Sequence, residues 1–202
     1  MTATLRADAA RNRDRLLATA RLMVAAGDLS LQLNDVARRA GVGVGTVYRH
    51  FPARRALVEA LAAGAFTALL DDARAASRHD DAWAGVELLL RALLTQQLAE
   101  PTFAEVISTG PDLDASPGTT AHRDEFEQLA RTVLGRARHG GLLRPDLTDE
   151  DLRHLVCGTV FALRIGDEPG GRVDRYLQVL LDGIRATTPA RPVAAAARAD
   201  PR

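Results

Sequence analysis

An all-α fold of about nine helices, a three-helix N-terminal head followed by a larger helical body, is what these 202 residues predict. Three observations carry that expectation. Ala and Leu, both strong helix formers, dominate a chain that is 47% hydrophobic but only 4% aromatic. Apolar residues return at helical spacing along most of the chain, and no run alternates apolar and polar as a half-buried strand does. Turn formers end the first stripes in succession: Gly27, Gly41, then Phe51-Pro52, where proline disfavours helix at the residue before it.

Residues 1–10 carry no stripe and are expected to be a disordered arm. From Arg11, Leu16, Ala20, Met23 and Val24 fall on one face of a first helix. Leu33, Val36, Ala37 and Ala40 mark a second, and a short third runs from Val44 to His50. A long helix follows from about Arg54 to Ala76, with Leu57, Leu61, Ala65, Ala68 and Leu69 on one side. Further helices are expected over 81–99, 101–109, 119–139, 149–165 and 171–187, with loops at 110–118, 140–147 and 166–171. Thr148 with Asp151 three residues on is a capping signal for the helix from 149. The segment 188–202, rich in Ala, Pro and Arg, is expected to be a disordered tail. The head would then be residues 11–56 and the body 57–187.

Two short helices joined by the turn Gly41-Val42-Gly43 make a helix-turn-helix unit. Gly41 can take the positive φ that a sharp corner needs. Val42, Val47 and Phe51 are the apolar plugs that would hold the pair to the first helix. With Val47 and Phe51 inward, at 100° per residue Arg49 is central on the outward face, flanked by Gly45 and Thr46. Tyr48 and His50 lie at its edges, and Val44 falls closer to the core. Such a face suits entry into a DNA major groove. Gly45 permits close approach, Thr46 and Tyr48 offer hydroxyls to phosphates, and Arg49 can reach phosphate or guanine. Arg54, at the start of the next helix, is expected to hold a phosphate. Charge agrees with this polarity: residues 1–60 hold ten Arg and five acids, whereas the remainder is net negative and the whole chain is neutral.

The run from Leu33 to Leu61, LNDVARRAGVGVGTVYRHFPARRALVEAL, resembles the signature of the tetracycline-repressor (TetR) family of bacterial regulators. The matching residues are Asp35-Val36-Ala37, Ala40-Gly41-Val42, Gly45-Thr46-Val47-Tyr48, His50-Phe51, and Arg54 with Leu57. The segment GLLRPDLTDEDL and the two helices after it are similar to C-terminal regions of that family. Three positions depart from the usual pattern. Gly43 stands where Ser is frequent, Val44 where a polar or basic residue is, and Leu31-Gln32 where a Thr pair is. The resemblance implies a homodimer on a palindromic double-stranded DNA operator, acting as a repressor that an unidentified small molecule releases. It places DNA contacts at Gly43, Val44, Gly45, Thr46, Tyr48, Arg49, His50 and Arg54. It further implies a ligand cavity among the helices from about 54 to 165, with Phe66, Trp83, Phe103, Phe126 and Phe161 as candidate lining. The last two helices would form the dimer's four-helix bundle through Leu152, Leu155, Val156, Thr159, Val160 and Leu163, and through Val173, Leu177, Leu180, Leu181 and Ile184.

Other classes find little support. Gly41-x-Gly43-x-Gly45 follows a helix rather than a strand, so it is not read as a nucleotide loop. No Ser–His or paired-carboxylate arrangement is recognisable, so an enzyme is not expected, nor a cofactor. His79, His122, His139 and His154 are read as surface or locally bonded residues rather than metal ligands. The lone Cys157 leaves no internal disulfide framework and is read as a small apolar residue. The charged N-terminus is unlike a signal peptide, and no apolar run reaches the roughly 20 residues of a membrane span, so a cytoplasmic protein is expected. The rival reading is a helical small-molecule carrier whose N-terminal motif no longer binds DNA.

Overall fold

The computed structural model describes residues 2–110, 113, 115–165 and 170–186, with backbone alone for 2–6 and 170. Nine helices follow one another in these residues: α1 (Thr2–Ala25), α2 (Leu33–Ala40), α3 (Val44–His50), α4 (Arg54–Arg78), α5 (Ala82–Ala99), α6 (Pro101–Ser108), α7 (Pro117–His139), α8 (Asp149–Arg164) and α9 (Gly170–Ile184). The only strand-like pairing among them is one isolated bridge, Leu143 to Arg185. The expected tail 188–202 and most of the 166–171 loop lie outside the described residues.

The expectation of a disordered arm over residues 1–10 is corrected, because α1 begins at Thr2. The Ala-rich stretch Ala3 to Ala10 is strongly helix-forming and extends the helix outward. It buries nothing from Ala7 to Ala10, so no apolar stripe marks it.

Local chemistry sets the other boundaries. Gly41 adopts φ 66° and ends α2, while the Val42 amide returns to the Ala37 carbonyl at 3.0 Å. The Asp81 carboxylate caps α5 through the amides of Trp83 and Ala84. Ser116 caps α7, with Pro117 in its first turn. The Thr148–Asp151 capping box forms in both directions, at 3.1 and 2.9 Å.

Helix α4 organises the molecule. It packs against α1 on the head side and against α5, α6 and α7 in the body. It therefore buries apolar residues around much of its girth, among them Leu57, Val58, Leu61, Phe66, Leu69 and Leu70. One continuous core runs from Leu16 in the head to Ile184 in the body. Helix α4 crosses the expected 56/57 division without a break. Where α4 and α5 cross, a Cβ on Gly85 would stand 2.9 Å from the Ala76 carbonyl oxygen, so only glycine fits.

Helices α8 and α9 bear two apolar faces each. Leu152, Val156, Val160 and Leu163, with Leu177, Leu181 and Ile184, are buried in the protomer's own core. Leu155, Phe161, Ile165 and Val179 stay exposed. Much of the expected bundle stripes thus packs inside the protomer, whereas Leu155, Thr159 and Leu180 of the same stripes line an outer groove together with Ala162, Tyr176 and Val179.

Candidate nucleic-acid interface

The face of α3 is fixed by its inward anchors. Val47 is fully buried and Phe51 nearly so, both against the cluster of Leu16, Leu33 and Val36. Gly43, Gly45 and Arg49 are exposed, with Val44 at 50% and Tyr48 at 45% exposure, while Thr46 and His50 are half-buried. Seven of the eight expected DNA-contact residues therefore sit on or beside one solvent-facing surface. Val44 differs from the expected inward lean: it is exposed to solvent. Gly43 supplies no side-chain cap, as its identity predicts. A Cβ on Gly45 would meet no atom within 4 Å, so packing does not require glycine there. Arg49 has no hydrogen-bond or ion-pair partner among the described residues, which leaves its guanidinium available.

Arg54 is the eighth, and the structure places its guanidinium against groups of the protein itself. Its Nε donates to the Ser30 carbonyl at 2.7 Å and its Nη2 to the Leu29 carbonyl at 2.7 Å. The same guanidinium grips the Glu105 carboxylate on α6 at 2.6 and 2.8 Å. Four of its five N–H donors are thereby engaged. The hydrogen bonds from Arg54 hold Glu105 below the ordinary carboxylate range and raise the guanidinium's own pKa. Arg54 is a strut joining the α1–α2 loop of the head to α6 of the body. That loop is shaped by Gly27 at φ 82°, by Asp28 accepting from Ser30, and by Leu31 at φ 45° with its side chain fully buried. Leu31 is thus an apolar anchor in a left-handed conformation that is costly for a branched side chain. Nothing in the sequence flags that conformation.

The five aromatic residues expected to line a ligand cavity take different places in the structure. Phe126 borders a cavity of about 360 Å³ between α5, α7 and α8. Phe66 and Phe103 are buried edge-to-face against each other, 4.9 Å between centroids, with His122 stacked on Phe66. Trp83 is covered by the Arg185 guanidinium, 4.6 Å from its ring centre, where the end of α9 folds back. Phe161 is 67% exposed on the outer side of α8, because Val160 and Leu163 occupy the inward face. The aliphatic residues around the cavity, Leu89, Leu93, Ala130 and Leu152 among them, had no distinguishing signal in the sequence.

Among the described residues no group of three His, Cys, Asp or Glu could hold a metal ion, and no helix is long and apolar enough to cross a membrane. Cys157 is half-buried.

Comparison with known proteins agrees with this geometry. A family model described as bacterial regulatory proteins, tetR family, matches residues 16–61. A second, described as the C-terminal domain of SbtR-like transcriptional regulators, matches residues 89–186. The HTH-type transcriptional repressor LfrR of Mycolicibacterium smegmatis is 32% identical over 124 residues, 61% of this chain and 64% of that protein. The match thus spans a little under two thirds of the relative's length. The crystal structure of LfrR from Mycobacterium smegmatis in complex with proflavine superposes with a TM-score of 0.55 at 27% identity, over 89% of this chain and 99% of that one. The TetR transcriptional regulator SCO0520 from Streptomyces coelicolor gives 0.54 at 26% identity, over 87% and 99%.

Proposed function

This chain belongs to the TetR family of bacterial regulatory proteins, a family of transcription regulators rather than enzymes, and from that premise we propose that it is a cytoplasmic, homodimeric repressor that binds a palindromic operator and leaves it when a small molecule enters the body. The observation that carries the reading is the surface of α3. Gly43, Val44, Gly45, Tyr48 and Arg49 face solvent together, with an unengaged guanidinium and a glycine that packing does not demand. A helix placed this way presents side chains to base edges in the major groove. The outer groove of α8 and α9 supports the dimer, since Leu155 and Val179 leave exposed an apolar surface that a second copy can cover. The relative solved with proflavine supports a body that accepts a small molecule. Ligand occupancy would favour a half-site spacing that no longer fits successive major grooves.

Fluorescence anisotropy with the DNA flanking the protein's own gene tests the proposal. A specific complex is expected, one that scrambled duplex does not form at the same salt concentration. Arg49→Ala should weaken the specific complex by about 1–3 kcal/mol per half-site where the side chain reads a guanine. No binding to either duplex would instead favour the carrier reading.

A further inference from the structure

We propose that the crevice between α1 of the head and the α5–α6 corner of the body is a binding site for a small zwitterion, an α-amino acid with an aliphatic side chain of about leucine's size. It is separate from the cavity between α5, α7 and α8. It rests on the regulatory reading above only for what binding does to DNA.

Both walls of the crevice bring an unengaged charge. Arg21, near the end of α1, lines one wall, and Glu100, between α5 and α6, lines the other. Neither side chain has a hydrogen-bond or ion-pair partner among the described residues. Glu100 holds the N-cap position of α6 yet does not cap it. Thr102, in the first turn of α6, lines the same crevice at 3% exposure, and its Oγ1 is buried without a partner. A buried hydroxyl left unpaired is uncommon and costly. Threonine in a helix has two accessible χ1 rotamers, so this hydroxyl can turn toward a ligand that offers it an acceptor.

These groups set the ligand's charge. A carboxylate meets Arg21 from the head, and from the body it meets the Thr102 hydroxyl and the first amides of α6, which have no partner within the helix. A bare anion would also meet Glu100, whose charge offsets that of Arg21, and a bare cation would meet Arg21 in the same way. An ammonium on the carbon next to the carboxylate answers Glu100, so the ligand that satisfies both walls carries both charges. The remaining lining is apolar, with Val24 from α1, Leu61 from α4, and Ala99 and Pro101 from the corner. Hydrocarbon suits that surface.

The crevice holds about 360 Å³ and opens to solvent. At about 30 Å³ for each non-hydrogen atom, the share a water molecule has in the liquid, that is about 12 atoms, or one mid-sized amino acid. Its position gives binding a consequence. The loop that follows α1 is tied through Arg54 to Glu105, which stands one turn beyond Thr102 on α6. A ligand held by Arg21 and Thr102 adds a second tie between head and body and restrains how one sits on the other.

The test is isothermal titration calorimetry of the DNA-free protein with L-leucine, with 3-methylbutylamine, which lacks the carboxylate, and with 4-methylpentanoate, which lacks the ammonium. Leucine should bind about tenfold tighter than either, the effect of one charged contact. Arg21→Gln should erase leucine's advantage over the amine and keep its advantage over 4-methylpentanoate. Glu100→Gln should do the opposite. Both side chains are exposed, so folding should survive in each variant. Thr102→Val keeps the shape, removes the unpartnered hydroxyl, and should weaken leucine about threefold without lowering Tm. The crossed pattern supports the site. No leucine binding up to about 10 mM, 4-methylpentanoate as tight as leucine, or affinities that both glutamine variants leave as they were, overturns it. Operator affinity is read separately: leucine that binds with the crossed pattern yet leaves operator affinity unchanged upholds the site and removes its tie to regulation. A specific operator complex with no leucine binding does the reverse.

Discussion

Replacing Arg54 with Ala separates two roles that a sequence alone confuses. If Arg54 held a phosphate, its loss would flatten the log–log salt dependence of operator binding by about 0.9 for each half-site. The structure gives it other work, since its guanidinium spans from the Leu29 and Ser30 carbonyls to Glu105. Charge-assisted hydrogen bonds contribute about 1.5–3 kcal/mol each when buried. Here the Arg54 and Glu105 side chains are 35% and 37% exposed, so screening brings the ion pair down toward the 1 kcal/mol of a surface pair. The two bonds to loop carbonyls contribute about 0.5–1 kcal/mol each, because water can replace them. Arg54→Ala should therefore cost about 2 kcal/mol of folding stability, or about 4–8 °C in Tm for a chain of this size, while the salt slope is unchanged. Glu105→Gln, on α6 in the body, should reproduce about half of that loss. The pair has a pH signature as well. The folded-state pKa of Glu105 is depressed, so its contribution is complete above the ordinary carboxylate value of 4.5 and disappears as pH falls through the lower folded-state value. Urea unfolding of the three proteins between pH 3 and 7, with operator titrations at several salt concentrations, decides the matter. An Arg54→Ala protein of full stability with a flattened salt slope would refute the strut and restore the phosphate clamp.

Other expectations follow from single positions. Gly45→Ala should raise stability by up to about 1 kcal/mol through helix propensity, since its Cβ meets nothing in the protein; if the backbone there lies against DNA, operator affinity should fall in the same variant, and an unchanged affinity would place DNA farther away. Val179→Glu puts a charge at a position 66% exposed in the single chain, so folding should survive while light scattering falls from twice 21.6 kDa to a single chain's mass. A variant that remains dimeric would move the interface off the α8–α9 groove. Gly85→Ala should destabilise by about 1–3 kcal/mol, because the added methyl meets the Ala76 carbonyl oxygen at 2.9 Å and helix backbone cannot step aside. Calorimetry showing an unchanged Tm would mean that α4 and α5 cross more loosely.

Much of the head was legible because its information is local. A stripe at 3.6-residue spacing, a glycine at a left-handed corner and a proline after Phe51 each act within a few residues, and together they fix α2, the turn, α3 and the outward position of Arg49. The Thr148–Asp151 box was legible for the same reason. The resemblance of the Leu33–Leu61 run then carried the step from motif to regulator.

The body was less legible, because its partners lie far apart in sequence. Arg54 meets Glu105 across 51 positions, and Arg185 covers Trp83 across more than a hundred. No local pattern tells a charged side chain which distant acid it will find. The same limit explains the aromatic residues: size and apolarity equally suit a core plug such as Phe66, a covered ring such as Trp83, an exposed face such as Phe161 and a cavity wall such as Phe126. Helical periodicity determined which residues of α8 and α9 are apolar. Only the packing of α5, α7 and α8 decided which of them fill the protomer's own core, which stay exposed, and where a cavity opens between three helices.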